Sequence, residues 1–487
     1  MESIIKETLV SFKDFEKKIF VAVCELGQEI TKRALEAWDD ELAGTRDKVV
    51  YRDKGKRTTS IKTLYGTVSY RRRVYQTKQE DGKSRYVYLL DEWMGREPKG
   101  LFSANLVESI VHAATELSYR AAAEQVSRTC GQAISHGGVW NLVQDLGKQI
   151  CQEEEETVHR MEAGQTEGTK TVPILFEEMD GVWLSMQDGK HRKRKKQELK
   201  VATMYEGWDA ASKGQSRLVG KTVLAGMEES RQFHAKREAL LESLYDIGGI
   251  GQRVLNGDGG GWIQEEYDPD VIFQLDRYHV YRGILRGIRE KKKQGELRKQ
   301  YEEGQAEELL SSIWEYIGKL EEEGKEEEAK KAEELYTYLR NNRDGLLPWD
   351  KRGKELPPAP EGIVYKRMGI QENQNCTLIT MRMKHRRARW GKNGANHLVK
   401  VLCRKENREL EETIQRYTHP KIATTGISEA RKVLSAGKVP KKEGKGSPYL
   451  EKISCQVPLL AAKQTEGRKV FRAMLSGGWG GASRWAY

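Results

Sequence analysis

Apolar residues recur at three- and four-residue steps from Ile4 to Leu26, and this spacing predicts an amphipathic helix over residues 1–45. Apolar and polar residues then alternate in TTSIKTLYGTVSYRRRVYQT on both sides of Gly66, which predicts a β-rich region up to residue 100. The arginines and tyrosines of this region suit contact with a nucleic-acid backbone, and they equally suit an ordinary exposed hairpin.

Three helical patterns follow within residues 101–150: LVESIVHAAT, SYRAAAEQVS and HGGVWNLVQDLG. Gly131 permits a turn between the second and the third, and Ser135 can cap the third helix. Two short helices joined by such a turn are typical of a helix-turn-helix DNA-binding region, although a plain helical bundle has the same pattern. We expect residues 151–170, which have a charged helical pattern and end in loop residues, to form a helical linker.

From Thr171 the pattern becomes that of strands. VPILFEEMDGVWLSMQ is apolar on both faces, as a central strand is, and ELKVATMYEGW and SRLVGKTVLAG predict two more strands. RQFHAKREALLESLYDIG predicts a helix, and RVLNGDGG and VIFQLD predict two further strands. This order is that of a ribonuclease-H-like fold, in which the first and fourth strands lie side by side. We therefore predict an α/β fold with a ribonuclease-H-like core, whose first part spans residues 171–279.

The rest of the chain is predicted to interrupt and then complete this core. Residues 280–355 have the charged helical pattern of EEEGKEEEAKKAEEL followed by a cluster of prolines, which predicts a helical insertion. The second part of the core is expected over residues 356–435. Residues 436–487 are basic at first and bear Gly and Pro, as a flexible linker and tail would.

Three acidic residues stand at predicted element ends in the strand-rich region. Asp180 closes VPILFEEMD, Asp258 follows RVLNG, and Glu372 precedes a basic helical segment. Three carboxylates brought together can hold two divalent cations about 3.5–4 Å apart, which activates water for displacement at phosphorus. Each acid alone is equally well explained as a turn or surface residue, so the three gain weight only jointly.

Other side chains are expected near these acids. LDRYHVYR places Asp276 and His279 on one face, either as partners of the metal ligands or as a structural Asp–His pair. The basic residues of MRMKHRRARWGKNGANHL follow Glu372 and suit the neutralisation of DNA phosphates. Trp390 suits either stacking on a displaced base or a place in the core.

Composition narrows the classes of function. A chain of 487 residues is too long for a single compact core, which predicts more than one domain. Its 84 Lys and Arg residues against 73 Asp and Glu residues give a net charge of +11. That excess favours a polyanionic partner, although charge alone also describes a well-solvated surface. The six scattered cysteines lack zinc-site spacing and are typical of reduced thiols in a cytoplasmic protein. The sequence has no bilayer-spanning apolar run, P-loop, dinucleotide fingerprint or GxSxG elbow.

The chain resembles the bacterial insertion-sequence transposases of the ISLre type, a DDE family related in plan to the mutator-like elements. The motifs that carry the resemblance are SIKTLYGTVSYRRRVY, YLLDEWMG, LSYRAAAEQVS with ISHGGVWNLV, EEMDGVWLSMQ, LNGDGGGWI, QLDRYHVYR and RMKHRRARWGKNGANHL. The resemblance implies that Asp180 and Asp258 are the first two catalytic, metal-binding carboxylates and that Glu372 is the third. Glu361 is a rival for the third position.

The function that this resemblance implies is that of an insertion-sequence DNA transposase. Two Mg²⁺ ions, which Mn²⁺ can replace, would activate water to cut one strand at the element end, and the freed 3′-OH would attack target DNA. Synapsis of two ends implies a homo-oligomer on DNA, associated with the nucleoid in the cytoplasm and not with a membrane. The DNA-binding residues are expected to be Arg120, Ser135, Trp140, Arg192, Lys193, Arg194, Arg382, Lys384, Arg386, Arg387 and Trp390.

Two other functions are compatible with the sequence. A ribonuclease-H-like nuclease would cut DNA without joining strands. A repressor-like protein with a catalytically dead fold would bind DNA without cutting it, and the presence of all three acids argues against this second alternative.

Overall fold

The computed structural model describes residues 11–78, 82–94, 102–166, 168–187, 195–212, 217–264, 270–353 and 356–418. The predicted C-terminal linker and tail lie outside these ranges, as do Arg192, Lys193 and Arg194 of the basic loop. The described residues fall into two compact units. The first lies mainly within Met1–Leu106, and the second comprises Val107–Thr129 and Ala133–Tyr417.

The first unit combines one long helix with a small sheet. Its elements are α1 (Phe12–Thr45), β1 (Arg52–Thr63), β2 (Gly66–Lys78), β3 (Ser84–Val87) and α2 (Leu89–Trp93). The three strands pair antiparallel in the order β1-β2-β3. Gly66 turns the first hairpin with a φ of 129°, which a side chain would disfavour. The predicted helix is therefore present over Phe12–Thr45 and the β-rich region over Arg52–Val87, while residues 1–10, 79–81 and 95–100 of the two predictions lie outside the described residues.

Three helices follow at the predicted positions: α3 (Ala104–Glu116), α4 (Tyr119–Thr129) and α5 (His136–Glu162). Ser135 caps α5 as predicted, because its hydroxyl accepts a hydrogen bond from the Gly138 N–H at 3.1 Å. The charged helical segment expected from residue 151 is a continuation of α5, which extends through Glu162. Burial of Leu146 and Ile150 on this helix, and packing of the helix within the second unit, explain its length.

Two sheets occupy the second unit. Their strands are β4 (Lys170–Ser185), β5 (Lys196–Tyr205), β6 (Gly207–Asp209), β7 (Leu218–Val219), β8 (Thr222–Gly226), β9 (Tyr245–Gly257), β10 (Ile272–Leu275) and β11 (Ile363–Val364). The larger sheet has the order β10-β9-β4-β5-β8, and the smaller has the order β11-β6-β7. In the larger sheet, β5 runs antiparallel to both of its neighbours, β4 and β8, whereas β9 runs parallel to both β4 and β10. The first and fourth strands of this sheet are therefore neighbours, as predicted.

Two expectations about these strands were wrong in detail. SRLVGKTVLAG is not one strand, because it divides at Gly220 into β7 and β8 of different sheets. The helix α6 (Ser230–Leu244) ends before Ile247, and the strand that follows begins at Tyr245 rather than at Arg253. Parallel pairing with β4 supplies backbone hydrogen-bond partners for this segment, and that tertiary contact overrides its helical pattern.

The larger sheet has a hydrophobic core on each face. One face buries Leu175, Met179, Leu224, Phe233 and Leu241. The opposite face buries Ile174, Phe176, Tyr205, Trp208 and Trp349. Because successive residues of β4 point to opposite faces, Ile174, Phe176 and Asp180 share the second face.

The predicted insertion is helical and has a core of its own. After the short α7 (Gly261–Gln264), it contains α8 (Arg277–Gly287), α9 (Lys291–Glu303), α10 (Ala306–Glu322) and α11 (Glu326–Asn341). Its buried residues include Ile284, Leu297, Ile313 and Leu335. Two tyrosines attach it to the larger sheet: Tyr301 Oη donates to the Leu275 carbonyl at 3.0 Å, and Tyr338 Oη to the Asp258 carbonyl at 2.8 Å.

The chain then returns to the sheet through a further group of helices. These are α12 (Gln371–Asn375), a π-helical continuation at Cys376–Lys384, α13 (Lys392–Glu406) and α14 (Leu410–Thr418). Long π-helical segments are rare and are found most often at functional sites. Of the helices within the described ranges, none is both long enough and apolar enough to cross a bilayer.

Candidate active site

Asp180 and Asp258 lie beside each other on neighbouring parallel strands. Met179 pairs with Gly257 in the last registered position of β4 and β9, and each acid is the next residue of its chain. Asp180 does not close its strand as expected, because β4 continues to Ser185 in antiparallel pairing with β5. It stands instead where the pairing with β9 ends, so the two carboxylates meet at the point where β9 leaves the sheet.

A tight turn holds Asp258 after β9. Its Oδ1 accepts a hydrogen bond from the Gly260 N–H at 2.8 Å, and Gly259 between them has a φ of 82°. A glycine suits this left-handed conformation, and a Cβ there would also collide with the side chain of Asn342. Gly259 therefore permits the turn that presents the carboxylate of Asp258.

Glu372 reaches the same place from the first turn of α12. It accepts a hydrogen bond from the Tyr278 hydroxyl, which raises the pKa of Tyr278, and its charge raises the pKa of both Asp180 and Asp276. The rival Glu361 is exposed and precedes β11, which pairs with β6 in the smaller sheet. Glu372 is accordingly the acid that joins Asp180 and Asp258.

Asp180 is the most perturbed member of the group. Burial raises its pKa to about 6, with further increases from the charges of Asp258 and Glu372. His279 opposes this shift, with its Nε2 4.0 Å from Asp180 Oδ2. Asn375 Nδ2 donates to the same oxygen at 2.7 Å, and the Gly181 N–H donates to Oδ1 at 2.7 Å. Asp180 is thus partly desolvated but firmly oriented.

Asp276 and His279, the two predicted neighbours, are part of the same group. Asp276 caps α8, because its Oδ1 accepts a hydrogen bond from the Tyr278 N–H at 2.8 Å. Burial raises the pKa of Asp276, as do the charges of Glu372 and Asp258, while His279 lowers it. Four carboxylates and one imidazole therefore influence one another here.

Glu178 is a residue of this site that the sequence patterns did not reveal. It is fully buried in β4, and burial raises the pKa of its carboxyl. It accepts hydrogen bonds from the backbone N–H groups of Gly369 and Ile370, each at 3.0 Å, and from the Tyr205 hydroxyl at 2.6 Å. An acidic pair, Glu177–Glu178, inside an otherwise apolar central strand was the available signal, since a buried charge needs specific partners.

The donor chemistry of the site fits a hard divalent cation such as Mg²⁺, which prefers carboxylate oxygens. The repulsion that raises the pKa of Asp180 is of the kind that a bound cation relieves. Within the described ranges, however, no group of three or more His, Cys, Asp or Glu side chains is spaced to hold a metal ion. Cation binding would therefore require these side chains to move.

The residues predicted to bind DNA have diverse environments. Arg120, Trp140, Lys384 and Arg387 are exposed, and the side chain of Arg386 lies outside the described part of the structure. Ser135 uses its hydroxyl as the cap of α5, and Arg382 Nε donates to the Ala114 carbonyl at 2.8 Å. Trp390 is 9% exposed and its Nε1 donates to the Met383 carbonyl at 2.8 Å, so its role as a core residue is the correct one of the two alternatives.

Residues 5–415 match the model of a family described as the uncharacterised protein family UPF0236. The chain belongs to this family. A UPF0236 relative from Streptococcus gallolyticus, described as the UPF0236 protein in vanSb 3′ region, is 24% identical to it over 435 residues. The aligned region covers 85% of this chain and 87% of the relative. The UPF0236 match therefore includes every acid of the site described above.

Proposed function

We propose that the protein is a DNA transposase whose Asp180, Asp258 and Glu372 hold Mg²⁺ at a DDE site. The observation that carries this proposal is the convergence of the three acids from distant parts of the chain. Together with burial, their proximity raises the pKa of Asp180 to about 6. Strongly perturbed acids that influence one another are typical of catalytic sites, because a purely structural role gains nothing from such repulsion.

The topology of the larger sheet supports a ribonuclease-H-like core for this site. Its first three strands are antiparallel, its fourth and fifth run parallel to the first, and α6 connects the third to the fourth. In such a core the first acid lies on the first strand and the second follows the fourth strand, which are the positions of Asp180 and Asp258.

Each residue around the acids has a definite task under this proposal. Mg²⁺ held by the three carboxylates would supply the activated water and the stabilisation of charge at phosphorus. Glu178 holds the backbone at Ile370 and thereby positions Glu372. Tyr278 orients the Glu372 carboxylate through its hydroxyl, and Asn375 orients that of Asp180.

A DNA partner agrees with the charge of the molecule. The chain carries a net charge of +11, and the segment that follows Glu372 adds the exposed Lys384 and Arg387. Such residues neutralise phosphates and make affinity fall steeply with salt. We further propose that α4 and α5 contribute to recognition of element ends, and that two ends are joined by a homo-oligomer of this chain.

The proposal is tested by Mg²⁺-dependent cleavage of duplexes from the two borders of the DNA segment that carries the gene. Asp180→Ala, Asp258→Ala and Glu372→Ala should each abolish cleavage, with binding of the duplexes retained. Glu361→Ala is the matched control, because it removes the rival acid, and it should cleave at the parental rate. Circular dichroism establishes that each variant is folded.

The outcomes separate the three candidate functions. Cleavage followed by joining of the 3′ end to a second duplex supports a transposase. Cleavage without joining identifies a nuclease, and DNA binding without any cleavage identifies a binding protein. If Glu361→Ala is inactive and Glu372→Ala is active, the assignment of the third acid is wrong.

A further inference from the structure

A pocket of about 630 Å³ opens between the α4–α5 region and the segment that follows the π-helix, away from the three acids. We call it the aromatic pocket. Side chains of two kinds, aromatic and cationic, dominate its lining: Tyr119, Trp140, Arg382, His385, Arg389 and Trp390. Its volume lies within the range of about 300–1,000 Å³ that is typical of small-ligand sites.

The inner wall of the aromatic pocket is a fixed assembly of rings and a guanidinium group. Tyr119 and Trp390 pack edge to face with centroids 6.4 Å apart. The guanidinium carbon of Arg382 lies 5.3 Å from the centroid of Tyr119 and 5.8 Å from that of Trp390. Because Trp390 is also tied to the Met383 carbonyl, this wall is pre-organised.

Trp140 supplies the accessible ring. It is 47% exposed on α5, whereas Trp390 is 9% exposed, so only Trp140 of the two offers a face to an incoming group. A large exposed indole is costly to leave in water, and it gains from stacking on another flat ring. The accessible surface of the aromatic pocket is therefore suited to a planar ligand.

The basic side chains of the aromatic pocket favour planar ligands that carry a negative charge. Arg389 and His385 line the pocket and are exposed, and Arg382 lies over the rings of Tyr119 and Trp390. The acidic Glu116 also lines the pocket, but its carboxylate is paired with Lys405. The cationic surplus favours an anion attached to the flat group, and a nucleotide combines the two.

We infer that the aromatic pocket receives one unpaired nucleotide of the bound DNA, with its base stacked on Trp140 and its phosphate beside Arg389. The inference rests on the proposed function, because it requires DNA at this surface. Glu372 and Arg382 belong to one helical run, residues 371–384, which is at most about 20 Å long at 1.5 Å per residue. The unpaired nucleotide should thus lie within about six base pairs of the cleaved phosphate, at 3.4 Å per base pair.

The test compares two fluorescein-labelled DNA probes by anisotropy at physiological ionic strength. One is a fully paired duplex, and the other is the same duplex with a single unpaired adenine at its centre. The parent protein should bind the second probe about tenfold more tightly, since stacking of one base on an aromatic ring is worth about that factor or more.

Two variants test whether the aromatic pocket is responsible for this preference. Trp140→Ala should abolish this preference, so that the variant binds the two probes with equal affinity. Gly394→Phe should do the same by filling the pocket, because a Cβ at Gly394 would meet nothing nearer than 4.0 Å. Trp314→Ala is the matched control, since Trp314 is 59% exposed on α10 in the helical insertion, and it should keep the preference.

Each result has one meaning. Equal binding of the two probes by the parent, or a preference that survives both Trp140→Ala and Gly394→Phe, overturns the inference and leaves the proposed function intact. Failure of the parent to bind either probe contradicts the proposed function, and the inference is lost with it.

Discussion

Glu178 accepts a hydrogen bond from the backbone N–H of Ile370 at 3.0 Å, across 192 positions of the sequence. Glu178 shortly precedes Asp180 in β4, and Ile370 shortly precedes Glu372 at the start of α12. The contact therefore joins the strand that carries the first acid to the helix that carries the third. A buried carboxylate, rather than a catalytic one, sets the spacing of the site.

Replacement of Glu178 by Gln should weaken both the fold and the site. An amide keeps one acceptor oxygen but places an NH2 group where the second oxygen accepts hydrogen bonds, so N–H groups among those of Gly369, Ile370 and Gln371 lose their acceptor. We expect a loss of about 2–4 kcal/mol in the free energy of unfolding. We also expect the Mg²⁺ concentration that gives half-maximal cleavage to rise about tenfold, as is typical when a partner of metal ligands is changed.

Glu177→Gln is the matched control for this substitution. Glu177 is equally buried in the same strand but faces away, where Arg253 Nε donates to it at 2.7 Å. Urea unfolding should show a comparable loss of stability, whereas the Mg²⁺ concentration that gives half-maximal cleavage should be unchanged. A similar shift of that concentration in both variants would show that Glu178 acts only through stability.

Asp180→Asn should stabilise the protein and abolish cleavage. The folded-state pKa of Asp180 is about 6, above its ordinary value of 3.8, because burial and neighbouring carboxylates disfavour its charge. Ionised Asp180 therefore costs the fold about 1–3 kcal/mol at pH 7, at 1.36 kcal/mol per pKa unit. The neutral amide removes this cost, and the melting temperature without Mg²⁺ should rise.

The pH dependence checks the cause of that gain. A raised carboxyl pKa leaves the protonated form unpenalised, so the parent loses stability as pH rises from about 4 to about 6. The advantage of Asp180→Asn should be full above pH 6 and absent near pH 4. A gain that is the same at pH 4 and pH 7 would show that packing, and not charge, is responsible.

Tyr278→Phe should weaken Mg²⁺ binding without unfolding the protein. Tyr278 is 44% exposed, and its hydroxyl donates to Glu372, which loses that orientation in the variant. We expect roughly a tenfold higher Mg²⁺ concentration for half-maximal cleavage, with cleavage restored at saturation. Tyr336→Phe on α11, which packs against Trp314, is the control and should behave as the parent.

Lys400→Met should destabilise the second unit by about 3–5 kcal/mol, because it leaves the buried carboxylates of Glu154 and Glu228 with only Lys236 as a cationic partner. Lys400 is fully buried, with its Nζ 2.7 Å from Glu154 Oε2 and 2.9 Å from Glu228 Oε1. Lys392→Met is the control, since that side chain is half exposed and 4.0 Å from Glu229, and it should change stability little. Denaturant unfolding measures both.

Acid titration gives a second readout of the same cluster. Burial acts to raise the pKa of Glu228, but Lys400 and Lys236 lower it to about 2. A depressed pKa gives stability that is present above the ordinary value of 4.5 and is lost as pH falls toward 2. Lys400→Met should lose less stability over this range than the parent, and an equal loss would contradict the role given to Lys400.

Helices and strands were predictable from the sequence where the pattern of neighbouring residues is enough to determine them. The alternation around Gly66, the cap at Ser135 and the apolar run before Asp180 each predict the element that the structure contains. The start of β9 at Tyr245 was not predictable, because its backbone partners lie on β4. Local propensity does not include such contacts.

The site also contains residues that the sequence predicts and residues that it does not. The order of strands brought Asp180 and Asp258 together, because neighbouring parallel strands fix the position of their ends. Glu178 was missed because its partners at Gly369 and Ile370 lie beyond the helical insertion, where no spacing rule applies. Of the two tryptophans predicted to bind DNA, Trp140 is exposed and Trp390 is buried, a difference that depends on three-dimensional packing.

The anchoring of Glu372 by Glu178 has a consequence for the order of events during protein synthesis. At about 5–20 residues per second, the ribosome needs roughly 10–40 s to travel from Glu178 to Gly369. Until residues 369–371 emerge, the strand that bears Asp180 exists without the helix that completes the acidic group. A chain still attached to the ribosome, or truncated before this point, therefore lacks the assembled group of three acids.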